Sequence, residues 1–150
     1  MTVSLMSIKP KWAKELYSGK KSVEFRKSSP PVGSVVFLYE SAPVKAVTGA
    51  FVVTATFCSC ADLVWSALKV LKAWKPGSVT RDQLCAYAGK GKCYAILMDG
   101  AWRFNENARV KLEKFAVRPP QSWQSLRASD ARENMLARVL LGIFKEEING

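Results

Sequence analysis

Two runs of β-forming residues, Ser34–Tyr39 and Ala46–Phe57, are separated by six residues that include the break Ser41-Ala42-Pro43, and they constrain the fold more than any other stretch. Both carry valine and aromatics, and the longer adds threonine, residues that suit a pleated, half-buried surface. Pro43 breaks the pattern because it has no N–H to give to a ladder. Gly49, inside the longer run, marks a bulge or a point where another part of the molecule comes close. Val3–Ile8 alternates and reads as a further strand, as do residues 21–27 and the apolar Cys93–Met98. The Asp99-Gly100 turn then signals a hairpin into Ala101–Phe104, and Val110–Phe115 is another strand candidate.

Helices fall between these strands. Lys9-Pro10 opens a short one, with Trp12 and Leu16 on its apolar side and Gly19 where a left-handed cap is wanted. Ala61–Ala73 carries a helical period through Leu63, Trp65, Leu68 and Leu71 or Lys72, and Thr80 caps a shorter helix through Tyr87. From Asp130, with Glu133 as a capping-box partner, Met135, Leu136, Val139, Leu140, Ile143 and Phe144 give an apolar face to the end of the chain. Packing of that helix on its own domain is the expectation, with dimerisation as the other use of such a face. Short strands interspersed with helices indicate an α+β fold, non-local enough to close a small barrel.

With 150 residues the chain fits one domain. No apolar run approaches the roughly 18 residues of a membrane span, and no basic-then-apolar leader opens the sequence. A cytoplasmic protein without membrane attachment is therefore expected. Lys and Arg number 23 against 12 acids, a net charge of +11, which favours a polyanionic partner, nucleic acid before anionic membrane. The basic residues are spread along the chain, which suits a folded groove better than a disordered arm. The absence of histidine excludes histidine triads, histidine general bases and two-histidine zinc sites. Cys58 and Cys60 are spaced more tightly than a zinc knuckle, and Cys85 and Cys93 lack such spacing, so reduced thiols with no metal and no cofactor are expected.

The most chemical stretch is Gly19-Lys20-Lys21-Ser22-Val23-Glu24-Phe25-Arg26. In a strand, Val23 and Phe25 share one face while Ser22, Glu24 and Arg26 share the other. That polar face is either a solvated ion pair or one wall of a site.

Several motifs resemble the ASCH domain of the PUA-like superfamily. They are Ser7-Ile8-Lys9-Pro10, Gly19-x-Lys21-x-x-Glu24-x-Arg26, Tyr39-x-Ser41-x-Pro43-x-Lys45-x-Val47-x-Gly49, Cys93-Tyr94-Ala95-Ile96 and Pro119-Pro120-Gln121-Ser122-Trp123. The resemblance spans roughly residues 3–126. It divides the chain into an ASCH/PUA-like domain over 1–128 and an added helix over 129–150. It implies a small PUA-like β-barrel with surrounding helices and a basic cleft that holds the family's lysine and arginine. Family members are proposed to bind RNA or modified nucleotides, some small members hydrolyse the acetyl amide of 4-acetylcytidine, and at least one is reported as a ribonuclease.

In the amidohydrolase members the motif reads Gly-x-Lys-x-x-Thr-x-Arg, with the threonine as proposed nucleophile, the lysine as its activator and a glutamate on a downstream helix. Here Lys21 and Arg26 match, but Glu24 replaces the threonine, and residues 61–84 hold only Asp62 and Asp82 as acids. Ser22 shares the strand parity but lies roughly 6.6 Å away along the strand. The resemblance thus points to a binding module for RNA, single-stranded nucleic acid or a modified nucleoside. The candidate ligand contacts are Lys9, Lys21, Glu24, Arg26, Tyr39, Ser41, Lys45, Gln121, Ser122 and Trp123, with Tyr39 or Trp123 as stacking partner. Arg26 offers a planar fork, Lys21 a point charge and Glu24 an acceptor for an exocyclic amine. The alternatives are an amidohydrolase or ribonuclease centred on Lys21 and Glu24, or a regulatory subunit that meets a second copy or another protein through its C-terminal helix. Trp12, Trp65 and Trp74 are expected in the core, and Gly89-Lys90-Gly91-Lys92 is no phosphate loop because no helix starts after it.

Overall fold

Pro10 and Gly19 bracket the first helix as their chemistry demands. Proline sits in the first turn, where its missing N–H costs nothing, and Gly19 takes φ 80° while its N–H closes on the Leu16 carbonyl. The computed structural model describes residues 2–71 and 74–150. Within them the order is β1 (Val3–Ile8), α1 (Pro10–Ser18), β2 (Val23–Arg26), β3 (Val35–Glu40), β4 (Ala46–Val52), β5 (Ala55–Cys60), α2 (Ala61–Leu71) and α3 (Arg81–Ala88). There follow β6 (Lys92–Leu97), β7 (Ala101–Arg103), two 3₁₀ turns at Glu106–Ala108 and Leu112–Phe115, β8 (Trp123–Ser125) and α4 (Ala131–Asn149).

The strands form two sheets, a five-stranded one in the order β7-β4-β3-β1-β8 and a three-stranded one in the order β2-β6-β5. β1 and β3 run parallel, and the other pairs are antiparallel. The fold is α+β as expected, but among the described residues the ladders do not join into a closed barrel.

The joint between the sheets corrects three expectations. The 46–57 run is two strands: Val53 N–H still bonds the Ser34 carbonyl, whereas Thr54 N–H bonds the Leu97 carbonyl, so the chain changes sheet there. The Asp99-Gly100 turn does not close a hairpin, because β6 already has β2 and β5 on its two sides, and β7 joins the free edge of β4 instead. Residues 110–115 supply one bridge, Val110 to Val47, and then a 3₁₀ turn that puts Leu112 into the core. The expected Ala61–Ala73 helix is seen through Leu71, its last two residues lying outside the described ones. Gly49 is a close-approach point as read: a Cβ there would run into the Trp102 carbonyl and the Tyr17 hydroxyl. The bulge lies beside it, where the β3–β4 register skips Thr48.

Three apolar clusters follow from this layering. One face of the large sheet packs Leu5, Phe37 and Ala50 against Leu136, Leu140 and Phe144 of α4, so the C-terminal helix buries its apolar face on its own chain. The other face packs Val36, Leu38 and Phe51 against Leu16 of α1 and Ile96 of β6. Behind the small sheet, Val23, Cys93 and Ala95 meet Val64 and Leu68 of α2 and Leu84 of α3. β2 is an edge strand, and its free edge is where the site forms.

Candidate functional site

The alternation of β2 decides its wiring. Val23 goes into the cluster beneath α2 and α3, while Glu24, level with Ile96 across the ladder, faces the large sheet. Lys21 precedes the strand. Its backbone is pinned by its N–H on the Glu15 carbonyl (3.0 Å) and by a bridge to Pro76, and its ammonium meets Glu24 Oε1. Arg26 gives Nε to Glu24 Oε2 at 3.0 Å, Nη2 to the Ser7 carbonyl at 2.8 Å and Nη1 to Ser122 Oγ at 3.2 Å. The side chains of Lys21, Glu24 and Arg26 are only 3%, 5% and 13% exposed. This is no solvated surface pair. Burial alone would push the Glu24 carboxyl up, but the charges of Lys21 and Arg26 and their hydrogen bonds outweigh it and hold it below its ordinary value.

The network forms the floor of a cavity of about 660 Å³, within the range of small-molecule sites. The end of β1 and the start of α1 contribute Ser7, Ile8, Lys9 and Trp12, and the loop after β3 contributes Ser41. The segment before β8 adds Gln121 and Ser122. From across the free edge of β2, α3 and its entry supply Val79, Gln83, Leu84 and Tyr87, with Phe25 beside them. Three cations and one carboxylate line the space. Two ammonium groups lie over the Trp12 ring, Lys11 at 4.6 Å and Lys21 at 5.4 Å, and Lys27 lies 5.4 Å over Tyr87.

Seven of the ten residues singled out from the sequence meet here: Lys9, Lys21, Glu24, Arg26, Ser41, Gln121 and Ser122. Three do not. Tyr39 is buried in the cluster beneath α4, because its parity on β3 matches Phe37 and points away from the cavity. Lys45 is exposed in the β3–β4 loop, outside the lining. Trp123 packs against the α1-side core and donates its indole N–H to Ser28 Oγ at 3.0 Å. The aromatics that do line the cavity are Trp12, Phe25 and Tyr87. Trp12, Trp65 and Trp74, expected in the core, are all half-buried against it, Trp12 also lining the cavity while Trp65 and Trp74 pack edge to face with centroids 5.1 Å apart. Gln83 and Tyr87, four apart on α3, share a helix face, a spacing that groups them without showing that the face meets a cavity.

Ser22 is committed elsewhere, accepting the Lys75 N–H at 2.8 Å beside a separate recess of about 130 Å³. Asp62 is exposed and pairs with Arg81 at 2.6 Å, and Asp82 is exposed. Among the described residues no group of three or more potential metal ligands occurs. Among the described residues no helix is long and apolar enough to cross a membrane.

Residues 6–62, from β1 into α2 and including the whole ion network, match the family model of the ASCH domain. The crystal structure of ASCH from Zymomonas mobilis superposes with a TM-score of 0.68 at 25% identity, covering 89% of this chain and 94% of that one. A tyrosine-to-phenylalanine mutant of the Zymomonas mobilis protein gives a TM-score of 0.70 at 25% identity, over 93% of this chain and 99% of that one. Among curated proteins no match is found.

Proposed function

We propose that this chain, which carries an ASCH domain, is a binding module for RNA or a modified nucleotide, with the ligand held in the cavity at the free edge of β2. One observation carries the reading: a buried Lys21–Glu24–Arg26 network forms the floor of a nucleotide-sized cavity whose rim offers Tyr87 and Trp12. Glu24 holds the two cations in place with both of its oxygens, so Lys21 and Arg26 are preorganised before a ligand arrives. The exposed face of Tyr87 is suited to stacking an unpaired base. The cytoplasm is the compartment this reading assigns.

The hydrolase alternative draws less support from the geometry. Glu24 stands where the nucleophilic hydroxyl would be, Ser22 is turned to another recess, and the downstream acids lie outside the cavity. A protein-interaction role through α4 competes with the packing of its apolar face on its own core.

Fluorescence anisotropy with short single-stranded RNA tests the proposal. Binding is expected to weaken linearly on a log–log plot against salt, and Lys21→Ala and Arg26→Ala are each expected to weaken it at least tenfold. Absence of binding at low salt by RNA, single-stranded DNA and modified nucleosides alike would sink it.

A further inference from the structure

The hydrogen-bonding character of the cavity floor narrows the ligand further, given the nucleotide-binding reading above. Glu24 has one oxygen on Lys21 and the other on Arg26, so about two of its four acceptor sites are taken, both by cations that neutralise its charge. The donors are not used up. The Lys21 ammonium has three N–H groups and one acceptor, Glu24. Arg26 has five, of which Glu24, Ser7 and Ser122 take at most four. Gln83 is fixed in orientation because its Oε1 accepts the Thr80 N–H at 3.0 Å in the capping box, so its NH2 end is the one left to offer. The site therefore presents a ligand with more donors than acceptors, where the sequence had suggested that Glu24 would accept from an exocyclic amine.

Charge points the same way. Lys9, Lys21 and Arg26 face one carboxylate in the lining, an excess of two positive charges, of which one is buried because Lys9 is exposed. Glu15, another acid that feels the charge of Lys21, lies outside the lining with both oxygens on Ser78. Buried charge left without a counter-ion is costly, and an arriving anion relieves it. An internal phosphodiester brings a single negative charge, whereas a phosphomonoester brings about −1.5 to −2 at neutral pH with three acceptor oxygens. Burial also rises from rim to floor: Tyr87 is 44% exposed, Lys21 3%.

We propose that the floor takes a terminal phosphomonoester, of a nucleoside monophosphate or of an RNA end, with the base outward against Tyr87. The ligand class is thus a phosphorylated nucleotide terminus, and an unphosphorylated nucleoside fills the site poorly.

Calorimetric titration of the full chain with the four ribonucleosides, their 5′- and 3′-monophosphates, and inorganic phosphate tests this without any mutation. Monophosphates of at least one regiochemistry are expected to bind at least tenfold tighter than their nucleosides, with inorganic phosphate competing. A ten-residue RNA carrying that terminal phosphate should likewise bind at least tenfold tighter than the same strand with hydroxyl ends. Lys9→Ala, at the exposed rim where folding is not at stake, should reduce the phosphate preference, and Tyr87→Ala should weaken nucleotides without affecting inorganic phosphate. RNA that binds equally with and without the terminal phosphate overturns the terminal-phosphate assignment and leaves the nucleic-acid reading standing. If nothing in the panel binds, both are overturned.

Discussion

Glu24→Gln keeps the shape of the floor and removes its only negative charge, leaving two buried cations side by side. Breaking a buried ion pair by removing one partner costs about 3–5 kcal/mol. Arg26 retains the Ser7 carbonyl and Ser122 Oγ, so the loss falls mainly on Lys21, which is 3% exposed and has Glu24 as its acceptor. That places the variant near the lower end, about 3 kcal/mol, or roughly 6–12 °C in melting temperature for a chain of this size. The pH dependence has a definite sign. The folded carboxyl titrates below its ordinary value of 4.5, so its contribution is present above that pH and is lost as the pH falls through the lowered folded value. The gap between wild type and Glu24→Gln should therefore narrow below pH 4.5, and Glu15 and Glu133, also held low, cancel because both proteins keep them. Urea titrations at pH 7 and at stepped acid pH read this directly. The double variant Lys21→Met/Glu24→Gln should be less destabilised than the sum of its parts, by at least about 1 kcal/mol. A Glu24→Gln variant as stable as wild type at pH 7, with no change in the gap on acidification, would refute the electrostatic account of the floor.

Three further outcomes follow from the packing. Gly49→Ala should destabilise by about 1–3 kcal/mol in urea titration, because the added methyl meets the Trp102 backbone as well as the Tyr17 ring. Leu140→Ala should cost about 2–5 kcal/mol and leave the molecular mass in solution unchanged, as expected of a side chain buried in its own domain; a shift in mass with intact stability would favour a dimer contact instead. Cys93, whose thiol burial pushes up to about 11, should react with a thiol reagent far more slowly than exposed Cys60, measured by timed alkylation and mass spectrometry.

The elements bounded by local chemistry were legible in the sequence. Pro10, Gly19, Thr80 and Asp130 mark helix ends because caps act within a turn, and Gly49 announced a close approach because a β-rich run otherwise excludes glycine. The change of sheet at Val53-Thr54 was not legible, since both halves of that run favour strand and only the partners differ. The β6–β7 turn misled for the same reason: local turn chemistry does not know that both edges of β6 are occupied. On the site, the strand parity that put Glu24 and Arg26 together was readable, and so were the motifs that brought Ser122 and Lys9 to them. Tyr39 was placed wrongly because the facing of β3 depends on which sheet face lies against α4. Trp12 and Tyr87 were missed because helical spacing says that a residue is amphipathic, not whether its apolar face meets core or cavity.

The central claim is that the ligand sits on the β2 floor. A backbone amide and side-chain NMR titration with a nucleoside monophosphate tests this most directly. The account predicts saturable shifts at Lys21, Arg26 and Ser122, with Tyr87 and the Trp12 indole moving along the same binding curve. Shifts confined to the exposed basic residues Arg103, Lys111 and Lys114, with the β2 floor unchanged at saturation, would contradict it.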